Sequence, residues 1–220
     1  CLQIFPNYFN TIQYFFFALG LLSVGLPHGA IDHLLLTGLY YEKINYQFIL
    51  RYIALFFAYF ILWILLPNLS MLIFIAYSIW HFGQCDFKEW IPNKQNTWKN
   101  IIWGTLLFGI LLIGHQTETN KILASLQTFE LPFTDEQAIH ISQILILISF
   151  IWSILERKGS FFLTVCMLFI AMYLPLLSAF SLYFIGQHSL NGWRHLKNGL
   201  QTNSKTLYLK SMPFNLGAIG

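Results

Sequence analysis

The sequence predicts an all-α protein, a polytopic transmembrane bundle of seven helices with the start of an eighth near the end of the chain. Of its 220 residues, 56% are hydrophobic and only 10% are charged, whereas soluble domains carry about 25% charged residues. The apolar residues form segments that approach the roughly 20 residues a spanning helix needs. The basic residues are concentrated in every second link between these segments.

Polar links or prolines separate the apolar segments along the chain. Pro67 and Pro175 fall in tight connections, where a helix is expected to end. An eighth apolar segment begins near Leu207, and the chain runs from Cys1 to Gly220. We therefore interpret residues 1–220 as a single integral membrane domain, a fragment of a longer protein that lacks both native termini. The seven predicted segments are 11–36, 48–66, 69–84, 100–114, 139–155, 161–174 and 177–196.

The positive charges predict an orientation for this bundle. Eleven of the twelve Lys and Arg residues lie on the side to which the odd-numbered segments lead, and Lys121 is the exception. By the positive-inside rule, the N-terminus lies outside and the odd segments run inward. The expected location is the cell (inner) membrane, in contact with the lipid bilayer. Because the basic residues are scattered through short links, nucleic acid is not an expected partner.

Five of the seven histidines fall at one predicted depth, near the inner ends of three helices. His28 and His33 lie in G-L-P-H-G-A-I-D-H of the first segment, His81 in W-H-F-G-Q-C-D of the third, and His188 and His195 in G-Q-H-S-L-N-G-W-R-H of the seventh. Ionisable groups at membrane depth are costly and usually functional. Since neutral imidazole is a common metal ligand, we expect a metal site toward the cytoplasmic half.

Helical geometry separates the two histidines of the first motif. Residues four apart share a helix face, so Asp32 shares a face with His28. His33 is rotated by about 140° from His28, at about 100° per residue, and is therefore a reserve ligand. Ligating histidines usually donate their second N–H to a carboxylate. Asp32 and Asp86 are the candidates for that supporting role.

The other histidines and Cys85 bear on which metal the site would bind. His188 and His195 are seven residues apart, two turns along nearly the same face. Cys85 is interpreted as a small packing residue, and His115 and His140 as ordinary residues of the outer interface. An all-histidine site favours iron or copper with an open position for oxygen, and zinc is compatible with the composition.

The same motifs resemble those of the Brp/Blh family of bacterial and archaeal β-carotene 15,15'-dioxygenases. The resemblance covers nearly the whole chain in segment number, motif order and spacing, and the P-H-G-x-x-D-H block is its most specific part. It implies an integral membrane enzyme that uses Fe(2+) and O2 to cleave the central double bond of β-carotene into two all-trans-retinal molecules. It also implies a functional link to a retinal-binding rhodopsin.

The resemblance further implies four iron-binding histidines. Carried over by motif, His28, His81 and His188 match the first three. Many members have two histidines four apart in the last motif, and here Gly192 stands at the second of these places. His195, one turn further along the same face, is taken as the fourth ligand. A three-histidine site with an open face is the alternative.

Four other functions fit the sequence less well. A b-type haem protein would draw its axial histidines mainly from two helices, whereas three contribute here. A transporter or channel would carry polar residues at several depths, but the outer halves of the segments are nearly bare. Di-iron desaturases need H-x-x-x-H and H-x-x-H-H boxes, which the chain lacks. A rhodopsin needs a lysine deep in its last helix for the Schiff base, and these lysines lie in links or at helix ends.

Overall fold

A computed structural model describes residues 14–15, 17–22, 46–90 and 96–219 of the chain. Throughout these ranges the regular secondary structure is helical, and they contain no β-strand. The predicted all-α class is therefore confirmed for the described residues. Residues 14–15 and 17–22 are also helical and belong to the predicted first segment, whose remainder lies outside the described ranges.

Nine α-helices follow from residue 46 onward in the described part of the chain. Two π-helical segments, Gly109–Ile113 and Phe184–Ser189, lie between them. The second, third, fifth and sixth predicted segments each overlap one α-helix, whereas the fourth and the seventh each include a π-helical segment. The last α-helix overlaps the predicted eighth segment. The α-helices are α1 Tyr46–Leu65, α2 Pro67–Trp90, α3 Thr97–Phe108, α4 Gln116–Ser125, α5 Asp135–Glu156, α6 Gly159–Ala171, α7 Leu176–Tyr183, α8 Leu190–Gly199 and α9 Ser204–Ile219.

Local sequence signals mark several of these helix boundaries. Pro67 opens α2, a first-turn position that suits its fixed φ and missing N–H. The Asn96 side chain caps α3 by accepting the backbone N–H of Trp98 at 3.0 Å. Thr134 and Gln137 form a reciprocal capping box at the start of α5. As a result, α2, α3 and α5 begin two, three and four residues before the predicted segments 69–84, 100–114 and 139–155.

The predicted link after the fourth segment contains a helix, α4, that the sequence did not predict. The helix formed by α3 and the first π-helical segment bends by 88° into α4. The Asn120 side chain accepts the backbone N–H of Leu131 at 2.8 Å, and Thr119 donates to the Leu112 carbonyl at 2.8 Å. Side chains therefore hold α4 against both the bend and the segment that follows it.

The helix lengths give weak evidence of membrane association. Among the described helices, α5 is the one that is long and apolar enough to cross a membrane by itself. The bent pair of α3 and α4 passes the same test if its two helices form a single span. The apolar helices Ile53–Leu65, within α1, and α6 are shorter. The predicted seven-span topology and its orientation therefore stay predictions.

The chain divides into two compact units. The larger unit is Tyr41–Val165, and the smaller unit combines Cys1–Tyr40 with Cys166–Gly220. In the larger unit, fully buried aromatic side chains such as Trp103 and Phe161 form part of the core. In the smaller unit, Leu196 and Leu207 are completely buried against each other.

Candidate metal centre

The predicted site residues of the first motif lie outside the described residues. These are His28, Asp32 and His33. Their roles as ligand, supporting carboxylate and reserve ligand stay predictions. The other predicted site residues, on α2, α8 and the second π-helical segment, are described below within their own units.

His81 lies on a face of α2 that it shares with Tyr77 and Cys85, each four residues away. The Tyr77 ring stacks on the imidazole with 5.9 Å between ring centroids and 7° between ring planes. The Cys85 Sγ lies 3.9 Å from the His81 Nε2. We call Tyr77, His81 and Cys85 the ligand face of α2.

The ligand face has donor atoms that fit a transition-metal ion. A histidine nitrogen bound to an ion at about 2.0–2.1 Å and a cysteine sulfur bound to it at about 2.3 Å lie at most about 4.4 Å apart. The separation of His81 Nε2 and Cys85 Sγ is within that limit, and both side chains are half-buried. Cys85, interpreted from the sequence as a packing residue, is thus within reach of an ion bound at His81. Its spacing of four residues from His81 is the sequence signal for this placement.

A second face of α2 packs directly on α3, and we call it the crossing face. A Cβ atom added at Gly83 would lie 1.9 Å from the Asn100 carbonyl oxygen, and one added at Gly104 would lie 1.9 Å from the Ile79 carbonyl oxygen. The two helices therefore meet backbone to backbone at both places. The glycine of the H-F-G motif serves this close approach, which small residues permit between packed helices.

Asp86 also belongs to the crossing face. Its carboxylate accepts the indole N–H of Trp103 at 2.7 Å, and both side chains are buried. At about 100° per residue, Asp86 is rotated by about 140° from His81. The predicted role of Asp86 as an acceptor for a histidine N–H stays a prediction, and the indole is its described partner.

Aromatic side chains surround the Asp86–Trp103 hydrogen bond. The Phe161 ring on α6 stacks on Trp90 with 4.4 Å between centroids and meets the Trp103 ring edge-on at 4.8 Å. The Phe87 ring, beside Asp86, lies 5.4 Å from Trp152 on α5. These contacts join four helices of the larger unit around the crossing and exclude water from the carboxylate.

His188 occupies the second π-helical segment of the smaller unit, where it is buried. Its imidazole stacks on the Phe184 ring at 5.6 Å with 21° between planes. Among the described residues, a Cβ added at Gly186, in the same segment, would meet no heavy atom within 4 Å. π-helical turns within α-helices are frequent at functional sites. The burial and the local backbone both fit a ligand held on a rigid helix.

His195 has a different environment from His188. It lies on α8 and is exposed, whereas His188 is buried. Their separation of two helical turns places them on nearly the same face, but at unequal depth. The role of His195 as the fourth ligand stays a prediction, as does the three-histidine alternative.

The two histidines predicted to lie at the outer interface also differ. His140 is exposed on α5, 3.8 Å from the Glu136 carboxylate. His115 is buried at the bend between α3 and α4, with its Nδ1 2.7 Å from the Leu111 carbonyl oxygen. Since its contact is to the preceding helical turn, His115 contributes to the bend.

Comparisons with known proteins agree with the motifs. The family described as Beta-carotene 15,15'-dioxygenase matches residues 19–220, a range that includes all three histidine motifs. A relative from uncultured marine bacterium 66A03, named Beta-carotene 15,15'-dioxygenase, is 30% identical over an alignment of 206 residues. That alignment covers 86% of this chain and 71% of the relative. No solved structure is significantly similar to the chain.

Proposed function

This chain belongs to the Beta-carotene 15,15'-dioxygenase family and is a dioxygenase, and we propose that it cleaves the central double bond of β-carotene with O2. The products are two molecules of all-trans-retinal, one from each half of the polyene. The observation that carries this proposal is the family match over residues 19–220, which includes every histidine motif. One O2 is consumed for the two aldehydes formed.

We propose that the enzyme uses Fe(2+) held by His28, His81 and His188, with His195 as the fourth ligand. Bound iron would supply the redox chemistry that lets O2 react with a carbon–carbon double bond. Two observations support the fit: His81 shares a half-buried helix face with a second donor atom, and His188 is buried in a π-helical turn. Both imidazoles are stacked on an aromatic ring that limits their rotation.

The aromatic side chains beside His81 are proposed to orient the polyene. The Tyr77 ring stacks on His81 and lies 5.7 Å from the ring of Trp80. Flat, apolar ring faces suit a conjugated chain. Cleavage at the central bond then depends on where the chain is held relative to His81. No side chain needs to act as a strong acid or base in this proposal.

We propose that the protein is a multi-pass protein of the inner membrane, and α5 supports this. Its buried positions include Ser142, Ser149 and Ser153, and each hydroxyl donates to a backbone carbonyl of its own helix at 2.8–2.9 Å. Large apolar side chains such as Ile148 and Leu155 are exposed instead. Small residues inside and large apolar residues outside are typical of helices that pack within a bilayer.

A bilayer location also suits the proposed substrate and product. β-Carotene is apolar and dissolves in the membrane, so it can reach the enzyme sideways between helices. Retinal is likewise membrane-soluble, and a retinal-binding rhodopsin is the proposed consumer. On α1, large apolar side chains including Leu55, Phe56 and Phe60 are more than half exposed, which lipid contact would explain.

Expression in cells that accumulate β-carotene tests the proposed activity. Wild-type protein should bleach the cells and produce retinal, both measured by chromatography of cell extracts. His81→Ala should abolish metal binding and retinal formation together. His140→Ala is the matched control, because His140 is exposed beside Glu136, and it should retain both. Persistent β-carotene and no retinal with folded, iron-loaded wild-type protein would contradict the proposal.

A further inference from the structure

We propose that α3, which carries none of the predicted ligands, positions His81 through Trp103 and Gly104. The inference rests on the proposed metal site and concerns how the larger unit holds one of its ligands. Three features carry it: the backbone contact at Gly83 and Gly104, the Asp86–Trp103 hydrogen bond, and the place of His81 on the opposite side of α2.

The glycine contacts fix the distance between α2 and α3. Ile79 and Gly83 are one turn apart on α2, and Asn100 and Gly104 are one turn apart on α3, so the contact spans a full turn of both helices. Each glycine faces a backbone carbonyl rather than the end of a flexible side chain. A Cβ at either glycine cannot be accommodated by a rotamer change, and the two helices would have to separate.

The hydrogen bond fixes the rotation of α2 about its own axis. A helix held only by glycine contacts can still roll, because the contact surface is small and smooth. The Asp86 carboxylate and the Trp103 indole are both buried, and their hydrogen bond ties one side chain of α2 to one side chain of α3. The Phe161 ring on α6 meets the Trp103 indole edge-on and holds it from outside α2. The indole is thus a fixed reference point for α2.

His81 lies on the side of α2 that faces away from this contact. At about 100° per residue, it is rotated by about 160° from Gly83. Any separation or roll of α2 at α3 therefore moves the imidazole by a comparable amount. Functional constellations need their side chains within about 0.5 Å and 10–20° of the productive geometry. Trp103 and Gly104 would serve that requirement for His81 by fixing the helix that carries it.

The test measures binding of Co(II), used as a spectroscopic probe, to purified full-length variants in detergent. Trp103→Phe removes the indole N–H and keeps an aromatic ring, while Gly104→Ala adds a Cβ against the Ile79 carbonyl. Each should raise the Co(II) dissociation constant by about 10–100-fold, as changes to groups that orient ligands do. The visible ligand-field spectrum of the bound Co(II) should also shift, because the imidazole approaches the ion differently.

Each variant has a matched control in the same unit. Trp98→Phe makes the same substitution on α3 at a residue that is 73% exposed. Gly159→Ala adds a Cβ that meets no heavy atom of the described part of the chain within 4 Å. Both should leave the dissociation constant and the Co(II) spectrum unchanged. A further pair separates hydrogen bonding from packing: Asp86→Asn, which keeps an oxygen that can accept the indole N–H, should retain more affinity than Asp86→Ala.

The possible results distinguish this inference from the proposed function. Lower thermal stability of Trp103→Phe with unchanged Co(II) affinity and spectrum would show a merely structural role and overturn the inference. If Gly104→Ala fails to fold, Co(II) binding by Trp103→Phe, Asp86→Asn and Asp86→Ala tests the same inference. Wild-type affinity in His81→Ala would contradict the proposed metal site itself. Loss of Co(II) in His81→Ala together with weaker binding in Trp103→Phe is the expected result.

Discussion

At the scale of single residues, the motif around His81 divides its members between two faces of one helix. His81 and Cys85 share the ligand face, whereas Gly83 and Asp86 share the crossing face. Because these residues lie within five positions of each other, the motif combines chemistry and helix packing in one turn and a half. A substitution on the ligand face would therefore act on the proposed metal site, whereas one on the crossing face would act on the packing of α2 against α3.

Tyr77 provides a residue-scale prediction on the ligand face. Its ring stacks on the His81 imidazole, and such ring pairs are worth about 0.5–1.5 kcal/mol. Tyr77→Ala should therefore lower the rate of retinal formation by about 2–10-fold, because the imidazole gains freedom to rotate. Tyr77→Phe keeps the ring and serves as the control, with a rate close to wild type. Equal rates for Tyr77→Ala and wild type would show that the stack does not orient His81.

The same residues show what the sequence could and could not predict. Helical periodicity alone places Cys85 on the face of His81 and turns Asp86 away from it. The partner of Asp86 could not be predicted, because Trp103 is 17 residues away on another helix and its position depends on how α2 and α3 cross. Gly104 was missed for the same reason: a glycine within an apolar segment carries no local sign of the backbone it contacts.

At the scale of helices, the break at Pro67 was predicted, whereas the caps at Asn96 and Thr134 and the long-range features were not. Pro67, Asn96 and Thr134 act on neighbouring residues, and each marks the start of a helix. The helix α4 was missed because its sequence is polar and its contacts, such as Asn120 with Leu131, cross 11 residues. Nothing in the segment containing His188 indicates that its hydrogen bonds shift to the π-helical pattern.

In α5 the small serine side chains are buried and the large apolar side chains are exposed, and this pattern gives a prediction for one helix. Ser149 is completely buried, so Ser149→Leu forces three extra carbon atoms into a packed interface. We expect it to destabilise the protein by about 1–3 kcal/mol, measured by thermal unfolding in detergent. Ile148→Leu, at the neighbouring exposed position, keeps volume and polarity and should be neutral. An unchanged unfolding temperature for Ser149→Leu would mean that α5 does not pack through its serines.

At the scale of the whole molecule, we expect an integral membrane protein with a defined orientation. After cell fractionation the protein should stay in the membrane pellet through an alkaline wash that releases peripheral proteins. A reporter placed after Lys158 should be cytoplasmic, and one placed between Thr128 and Leu131 should be on the outer side, because basic links stay inside. Release by the alkaline wash, or both reporters on one side, would contradict the predicted topology.

The central claim is that this member of the family cleaves β-carotene at its central bond. The most direct measurement is the product spectrum of β-carotene incubated under O2 with purified, iron-loaded protein in detergent or lipid, separated by chromatography. Retinal should be the single cleavage product, and His81→Ala should form none. Unequal apocarotenal fragments, or unchanged β-carotene with folded and metal-loaded wild-type protein, would contradict the claim.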